Sequence, residues 1–220
     1  MALVMLKYRN FDMETAKERL SNYLVWRREL FGDLSDHSLE SDEMIGEMLN
    51  TCFLQTLMPP TGNGPVILYG QGKRHNSSKY TPMHVVKVWH YMIMCALKRD
   101  IEIAKHGFIV ISNLSDVGYG NMDRGIGKLL RPAIKNVMPM RIVYAVLFNP
   151  SFIVHSGVSL MVLFLSSKMQ GRIKSFSDQS LFQSDLKIDS SRLPVQLGGT
   201  CEIKTPETHL KFYQDLNLKV

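Results

Sequence analysis

Residues 70–74 read GQGKR, a pairing of glycine and lysine that suggests a loop cradling phosphate. Such a loop needs a glycine five residues ahead of its closing Gly-Lys and a Ser or Thr behind the lysine to meet magnesium. Position 67 is isoleucine and Arg74 follows Lys73, so the pattern fails on both counts. His84 and His90 stand six positions apart, which puts them off a common helix face, where two metal ligands would have to lie. The three cysteines, Cys52, Cys95 and Cys201, are odd in number and far apart. They suit a reducing compartment and provide neither a disulfide framework nor a zinc site. None is preceded by His or followed by a phosphate loop closing on Arg, and Gly-x-Ser-x-Gly does not occur, so no phosphatase or hydrolase nucleophile is visible. The chain is therefore read as non-enzymatic, with no catalytic residue, cofactor or metal.

Charge offers more. Lys and Arg number 26 against 20 Asp and Glu, for a net charge of +6, which admits nucleic acid or an anionic lipid surface as partner. Over residues 123–137 the spacing predicts a helix with two distinct faces. Ile126, Leu130, Ala133, Ile134 and Val137 form an apolar face, while Arg124, Lys128, Arg131 and Lys135 form a basic stripe without an acidic neighbour on it. The stripe is either an ordinary solvated face or a contact for an anionic leaflet, worth about 1 kcal/mol per basic residue there. Aromatic side chains interleaved with the cations, as a nucleic-acid surface requires, are missing from it. Nucleic acid is accordingly not expected.

The elements that would position these residues emerge from periodicity. Residues 11–30 and 82–105 read as helices, the second opening on Pro82 in its first turn. Residues 66–69, 108–114 and 142–148 read as strands, with a further short strand at 172–176. Residues 31–43, FGDLSDHSLESDE, read as an acidic linker and PPTGNG at 59–64 as a turn. Strands alternating with helices predict an α/β sheet with parallel crossovers. Residues 151–168, SFIVHSGVSLMVLFLSSK, stand apart. From Phe152 to Leu165 there is no formal charge, yet the run is shorter than the roughly 20 residues a membrane-spanning helix needs. It is expected to be a helix that belongs to the core for all or part of the time.

Three segments together resemble one family. Residues 8–28, YRNFDMETAKERLSNYLVWRR, resemble the helix that precedes CRAL-TRIO lipid-binding domains. Residues 149–165, NPSFIVHSGVSLMVLFL, resemble that family's Asn-x-Pro-x-x-Phe…Phe-Leu segment with one proline missing, and LPVQLGGT at 193–200 is similar to its closing signature. The family includes tocopherol-transfer, retinaldehyde-binding and phosphatidylinositol-transfer proteins. The resemblance implies a twisted, mostly parallel sheet flanked by helices, and an apolar pocket closed by a gate helix. It implies a division into residues 1–31, a shortened remnant of an N-terminal helical subdomain; 32–46, the acidic linker; 47–204, the lipid-binding domain; and 205–220, a C-terminal tail.

Function is then expected to be binding and intermembrane transfer of a small hydrophobic lipid by a cytoplasmic monomer that docks peripherally on anionic or phosphoinositide-containing membranes. A regulatory or targeting module that binds membranes or proteins without transport is the alternative. An 18-carbon chain exposes methylenes at about 0.8 kcal/mol each, roughly 14 kcal/mol in all, so a carrier must enclose its cargo. The resemblance and the face patterns together nominate His90, Met94, Leu97, Phe108, Val110, Ser112, Leu130, Ile134, Met140 and Ile142 as pocket lining, with His90 and Ser112 as polar handles. Phe152, Val158, Met161, Val162 and Leu165 are nominated on the gate. Arg124, Lys128, Arg131, Lys135, Arg141, Lys168 and Arg172 are the nominated membrane or phosphoinositide contacts. The family's inositol-phosphate site is half replaced: its Arg-Lys pair reads Arg9-Asn10, its Glu reads Met140 and its Lys reads Arg172. Buried phosphatidylinositol is therefore disfavoured as cargo.

Overall fold

The computed structural model describes residues 1–32, 43–57, 64–151 and 167–215, apart from the side chains of Arg124, Lys168 and Gln183. The expected linker at 31–43 and the apolar run 152–165 fall largely or wholly outside the described residues.

Five strands, β1 (Leu54–Leu57), β2 (Val66–Gln71), β3 (Phe108–Asn113), β4 (Ile142–Phe148) and β5 (Ile173–Phe176), form one sheet in the order of the sequence. Strand β1 pairs antiparallel with β2, and the remaining pairs are parallel. Because right-handed crossovers between strands laid down in sequence all pass over the same face, the helices that join them gather on one side of the sheet. Those helices are α4 (Pro82–Arg99), α5 (Ile103–His106) and α6 (Arg124–Asn136). Two N-terminal helices, α1 (Ala2–Tyr8) and α2 (Met13–Phe31), pack on the same layer, with Met5, Ala16 and Tyr23 in one core with Met94, Leu97, Phe108 and Ile142. The opposite face is covered by the segment C-terminal to β5, through Phe182, Leu186, Ile188, Leu193 and Leu197. Helix α3 (Glu43–Asn50), the short α7 (Ser167–Gln170) and α8 (Leu181–Ser184), and α9 (Pro206–Asp215) complete the described α-helices. Helix α9 belongs to the segment read as a tail, and Tyr213 on it is fully buried beside α3 and α4.

Local chemistry sets the boundaries. Asp12 caps α2 by accepting from the Thr15 amide at 3.1 Å, and Gly32 at φ 81 ends it. Thr81 and His84 form a reciprocal cap at the start of α4, where Pro82 needs no amide partner. His84 is thus a capping residue. The predicted helix 82–105 divides at Asp100, whose extended backbone separates α4 from α5. Asp123 caps α6 through the Gly125 amide at 2.7 Å. Gly125 is required there, since a Cβ would stand 2.6 Å from the Pro82 ring. The two pocket-side helices α4 and α6 can therefore meet at their first turns.

Candidate lipid-binding site

Residues paired across parallel strands project to the same face, so the register builds the floor of the site. Val66, Phe108 and Ile142 make one row; Leu68, Val110, Ala145 and Ile173 make the next; Gly70, Ser112, Leu147 and Ser175 make the third. A β-bulge shapes it. Phe108 pairs with Ile142 but Ile109 pairs with Tyr144, leaving Val143 as the extra residue. Simple alternation would set Tyr144 beside Ile142 on the floor. The bulge instead turns Val143 and Tyr144 toward the opposite core and brings Ala145 onto the helix-covered face.

Burial falls away across this floor. Val66 and Phe108 are at 0% exposure, whereas Val110, Ala145, Leu147 and Ile173 are half-buried. Helix α4 contributes Met94 and Leu97 to the wall, α6 contributes Ala133 and the half-buried Ile134, and Met138, Met140 and Met169 join the same cluster. Partly buried apolar side chains on the floor, bounded by methionines and aliphatics, form a surface able to hold a hydrocarbon chain. Methionine suits such a wall because its unbranched thioether adapts to irregular shapes.

Met94, Leu97, Phe108, Val110, Ile134, Met140 and Ile142 thus lie in one cluster. Ser112 is half-buried and shares their sheet face by register, and Leu130 is half-buried on α6. His90 is placed differently from a ligand handle. It is 1% exposed, its Nε2 lies 2.9 Å from the Tyr23 hydroxyl, and its ring stands against Trp26 and Phe31. The Tyr23 hydroxyl also donates to the Met94 sulfur at 3.4 Å, and burial pushes its own pKa up to about 12. His90 therefore fastens α4 to α2. Phe152, Val158, Met161, Val162 and Leu165, nominated for the gate, lie outside the described residues.

A second fastening comes from Arg19, nine-tenths buried on α2. Its guanidinium donates to the carbonyls of Ile134, Lys135 and Met138 at 2.9, 3.0 and 2.6 Å. It caps the carbonyl end of α6 with a positive charge, where the helix dipole favours one, while the Tyr8 ring covers its other side at 4.6 Å. Neither Arg19 nor Tyr23 was nominated from sequence, although both lie in the helix that carries part of the family resemblance.

Of the nominated cations, Lys128, Arg131 and Lys135 are exposed on α6, and Arg124 is its first residue. Arg141 is exposed just ahead of β4 and its guanidinium donates to the Lys105 carbonyl at 3.5 Å. Arg172, half-buried just ahead of β5, donates to the Ile142 carbonyl at 2.7 Å. Arg141, Arg172 and Lys105 therefore stand on the edge where the parallel strands begin, near the end of α6 that bears Lys135. Lys168 lies on α7 close by in sequence. Among the described residues no His, Cys, Asp and Glu cluster could hold a metal ion, and no helix is long and apolar enough to cross a membrane.

Comparison with known proteins agrees with this architecture. The crystal structure of Sfh5 superposes with a TM-score of 0.57 over 97% of this chain and 79% of that one, at 12% sequence identity, a likeness of fold. A search of curated proteins returns no match. The CRAL/TRIO domain model matches residues 50–199, a span that contains all five strands and the three crossover helices. With that model matching well over half of the chain, across its mostly parallel sheet, this chain is a member of the CRAL/TRIO domain family of lipid-binding and lipid-transfer proteins.

Proposed function

We propose that the protein carries one hydrophobic lipid between the sheet and helices α4 and α6, and exchanges it at anionic, phosphoinositide-bearing membrane surfaces in the cytoplasm. The observation that carries this reading is the apolar floor of Val110, Ala145, Leu147 and Ile173, which the described residues cover only in part, beside Ile134 and Met169. Sheet faces left that apolar in a folded protein mark places where another apolar surface is received. The run 152–165, between β4 and β5 in the chain, is read from its sequence as the cover of this floor. Ser112 and Ser175 in the third row offer hydroxyls suited to a ligand headgroup at one end of a hydrocarbon.

Delivery needs a different surface. Lys128, Arg131 and Lys135 on α6, with Arg141 and Arg172 on the strand edge, supply positive charge against a leaflet whose attraction fades within a Debye length of about 8–10 Å. Native mass spectrometry of the purified chain tests cargo binding. A bound species with a lipid's mass, lost on denaturation, is the expected result, and a chain that neither co-purifies with lipid nor takes it up from vesicles would overturn the reading.

A further inference from the structure

One histidine is buried with nothing to bond. His75, in the loop between β2 and α4, is 2% exposed, and neither its Nδ1 nor its Nε2 has a hydrogen-bond partner among the described residues. Its ring lies between two others. Phe53, just ahead of β1, stands 5.0 Å away between ring centroids, and Tyr80, just ahead of α4, is stacked at 6.5 Å. A neutral imidazole carries one N–H and one lone pair, and a protonated one carries two N–H groups. This cage satisfies neither form and opposes the charged one most strongly. Burial accordingly lowers the His75 pKa from 6.5, outweighing the carboxylate of Asp123. A phenylalanine would fill the same space and orphan no polar atom. What histidine adds there is a place for a proton.

The cage sits at a joint. The Asn121 side-chain amide donates to the His75 carbonyl at 2.7 Å and to the Lys73 carbonyl at 3.1 Å. Ser77 donates to the Gly120 carbonyl through its amide at 3.0 Å and its hydroxyl at 2.9 Å. Residues 72–80 are thereby stitched to the 118–121 turn, and the two segments lead into α4 and α6, whose first turns meet where Gly125 packs on Pro82. The charged and titratable groups around the loop are engaged elsewhere. Lys73 pairs with Asp116, Lys79 with Glu47, and Arg74 donates to the Thr51 carbonyl. The Tyr80 hydroxyl donates to Glu47, while Asp123 accepts from the Gly125 amide and His84 from the Thr81 amide. A proton on His75 thus finds no acceptor among the described residues while the loop is closed. Lys73, Arg74, Asn76, Ser78 and Lys79 are already exposed, so lifting this loop wets His75 without breaking the sheet.

We propose that His75 is an acid-released latch: uncharged, it holds the starts of α4 and α6 together, and its protonation frees the 72–80 loop and loosens both helices. That loosening lets cargo out only if the lipid-carrying reading holds; the latch itself does not depend on it. Because the closed loop disfavours the proton, latching is complete above about pH 6.5 and weakens as pH falls below it. Hydrogen-exchange mass spectrometry of the full chain without lipid, corrected for the intrinsic pH dependence of exchange, measures the opening. Peptides covering residues 72–80 and 118–126 are expected to open up to about tenfold more at about pH 5.5 than at about pH 7.5, the limit for one proton taken up by an ordinary histidine. His75→Phe fills the cage and has no proton to gain, so its opening is expected to stay level. His75→Asn serves the same purpose where phenylalanine overpacks the cage. His84 and His209 are common to all three chains, so their titration cancels. A level wild type, or a variant that opens as wild type does, would overturn the latch. A rise of equal size in β2 and β3 peptides would also overturn it, because the whole fold would then be loosening. Wild type loaded with a fluorescent NBD-labelled phosphatidylcholine is expected to lose it to acceptor vesicles several-fold faster at about pH 5.5, and His75→Phe is not. Local opening without faster loss would overturn the link to cargo and leave the carrier reading standing. A chain that takes up no lipid at any pH would overturn the carrier reading, while the exchange data still decide the latch.

Discussion

Acidification should loosen the C-terminal helix through one buried histidine. His209 on α9 is 1% exposed, its Nδ1 lies 2.7 Å from the Leu49 carbonyl at the end of α3, and its Nε2 has no hydrogen-bond partner among the described residues. Its ring sits edge-on to Tyr213, and Lys204 brings a cation to the same side. Burial, which outweighs the favourable contact with the Leu49 carbonyl, lowers its pKa from 6.5 to about 4. The unfolded chain then binds the proton first, so the contribution is complete above about pH 6.5 and is lost as pH falls toward the folded value of about 4. With those two values, linkage predicts a loss of about 1.4 kcal/mol by about pH 5.5 and about 2.5 kcal/mol by about pH 4.5. Urea unfolding of wild type and His209→Gln across this range isolates the effect, because every other titrating group is common to both. Glutamine keeps an N–H for the Leu49 carbonyl but has no proton to gain. Wild type is expected to lose about 2.5 kcal/mol more than the variant between about pH 7 and about pH 4.5. Parallel curves would refute the reasoning, and would mean that His209 is hydrated or partnered before the protein unfolds.

Other outcomes rest on the same kind of contact. Arg19→Met removes the donors to three carbonyls at the end of α6 and should cost about 3 kcal/mol, with Arg19→Lys intermediate, by thermal or urea unfolding. Gly199→Ala should destabilise by about 3 kcal/mol or more, because the new Cβ would fall on the Leu193 carbonyl, and a stable variant would show that the 193–201 turn can shift. Ala145→Phe places a ring on the half-buried floor and should expel cargo in native mass spectra while the sheet stays folded by circular dichroism. Changing Arg131, Lys135, Lys168 and Arg172 to Ala should cut binding to acidic vesicles and flatten its salt dependence, and unchanged sedimentation would remove these residues from the docking surface.

Much of the framework is legible in local chemistry. The strand runs at 66, 108 and 142, the helix opening on Pro82 and the basic stripe of α6 are written in adjacent residues, and they form what their patterns predict. The short α3, β1 and α9 escaped, since each offers only one to three turns or four residues of pattern, and distant partners help hold them, as Thr56 of β1 does Tyr213 of α9. Two features of the site were decided only by tertiary structure. The bulge at Val143 depends on pairing with β3, and a single extra residue exchanges Tyr144 for Ala145 on the floor. His90 carries the polarity and helix face of a ligand contact. Its environment comes from Tyr23, Trp26 and Phe31, on a helix far earlier in the chain. Sequence alone determined which faces are apolar and which are charged, because those derive from residue type and backbone period. Which apolar face the described residues fill and which they cover only in part was settled by register and packing, because these depend on residues brought together from opposite ends of the chain.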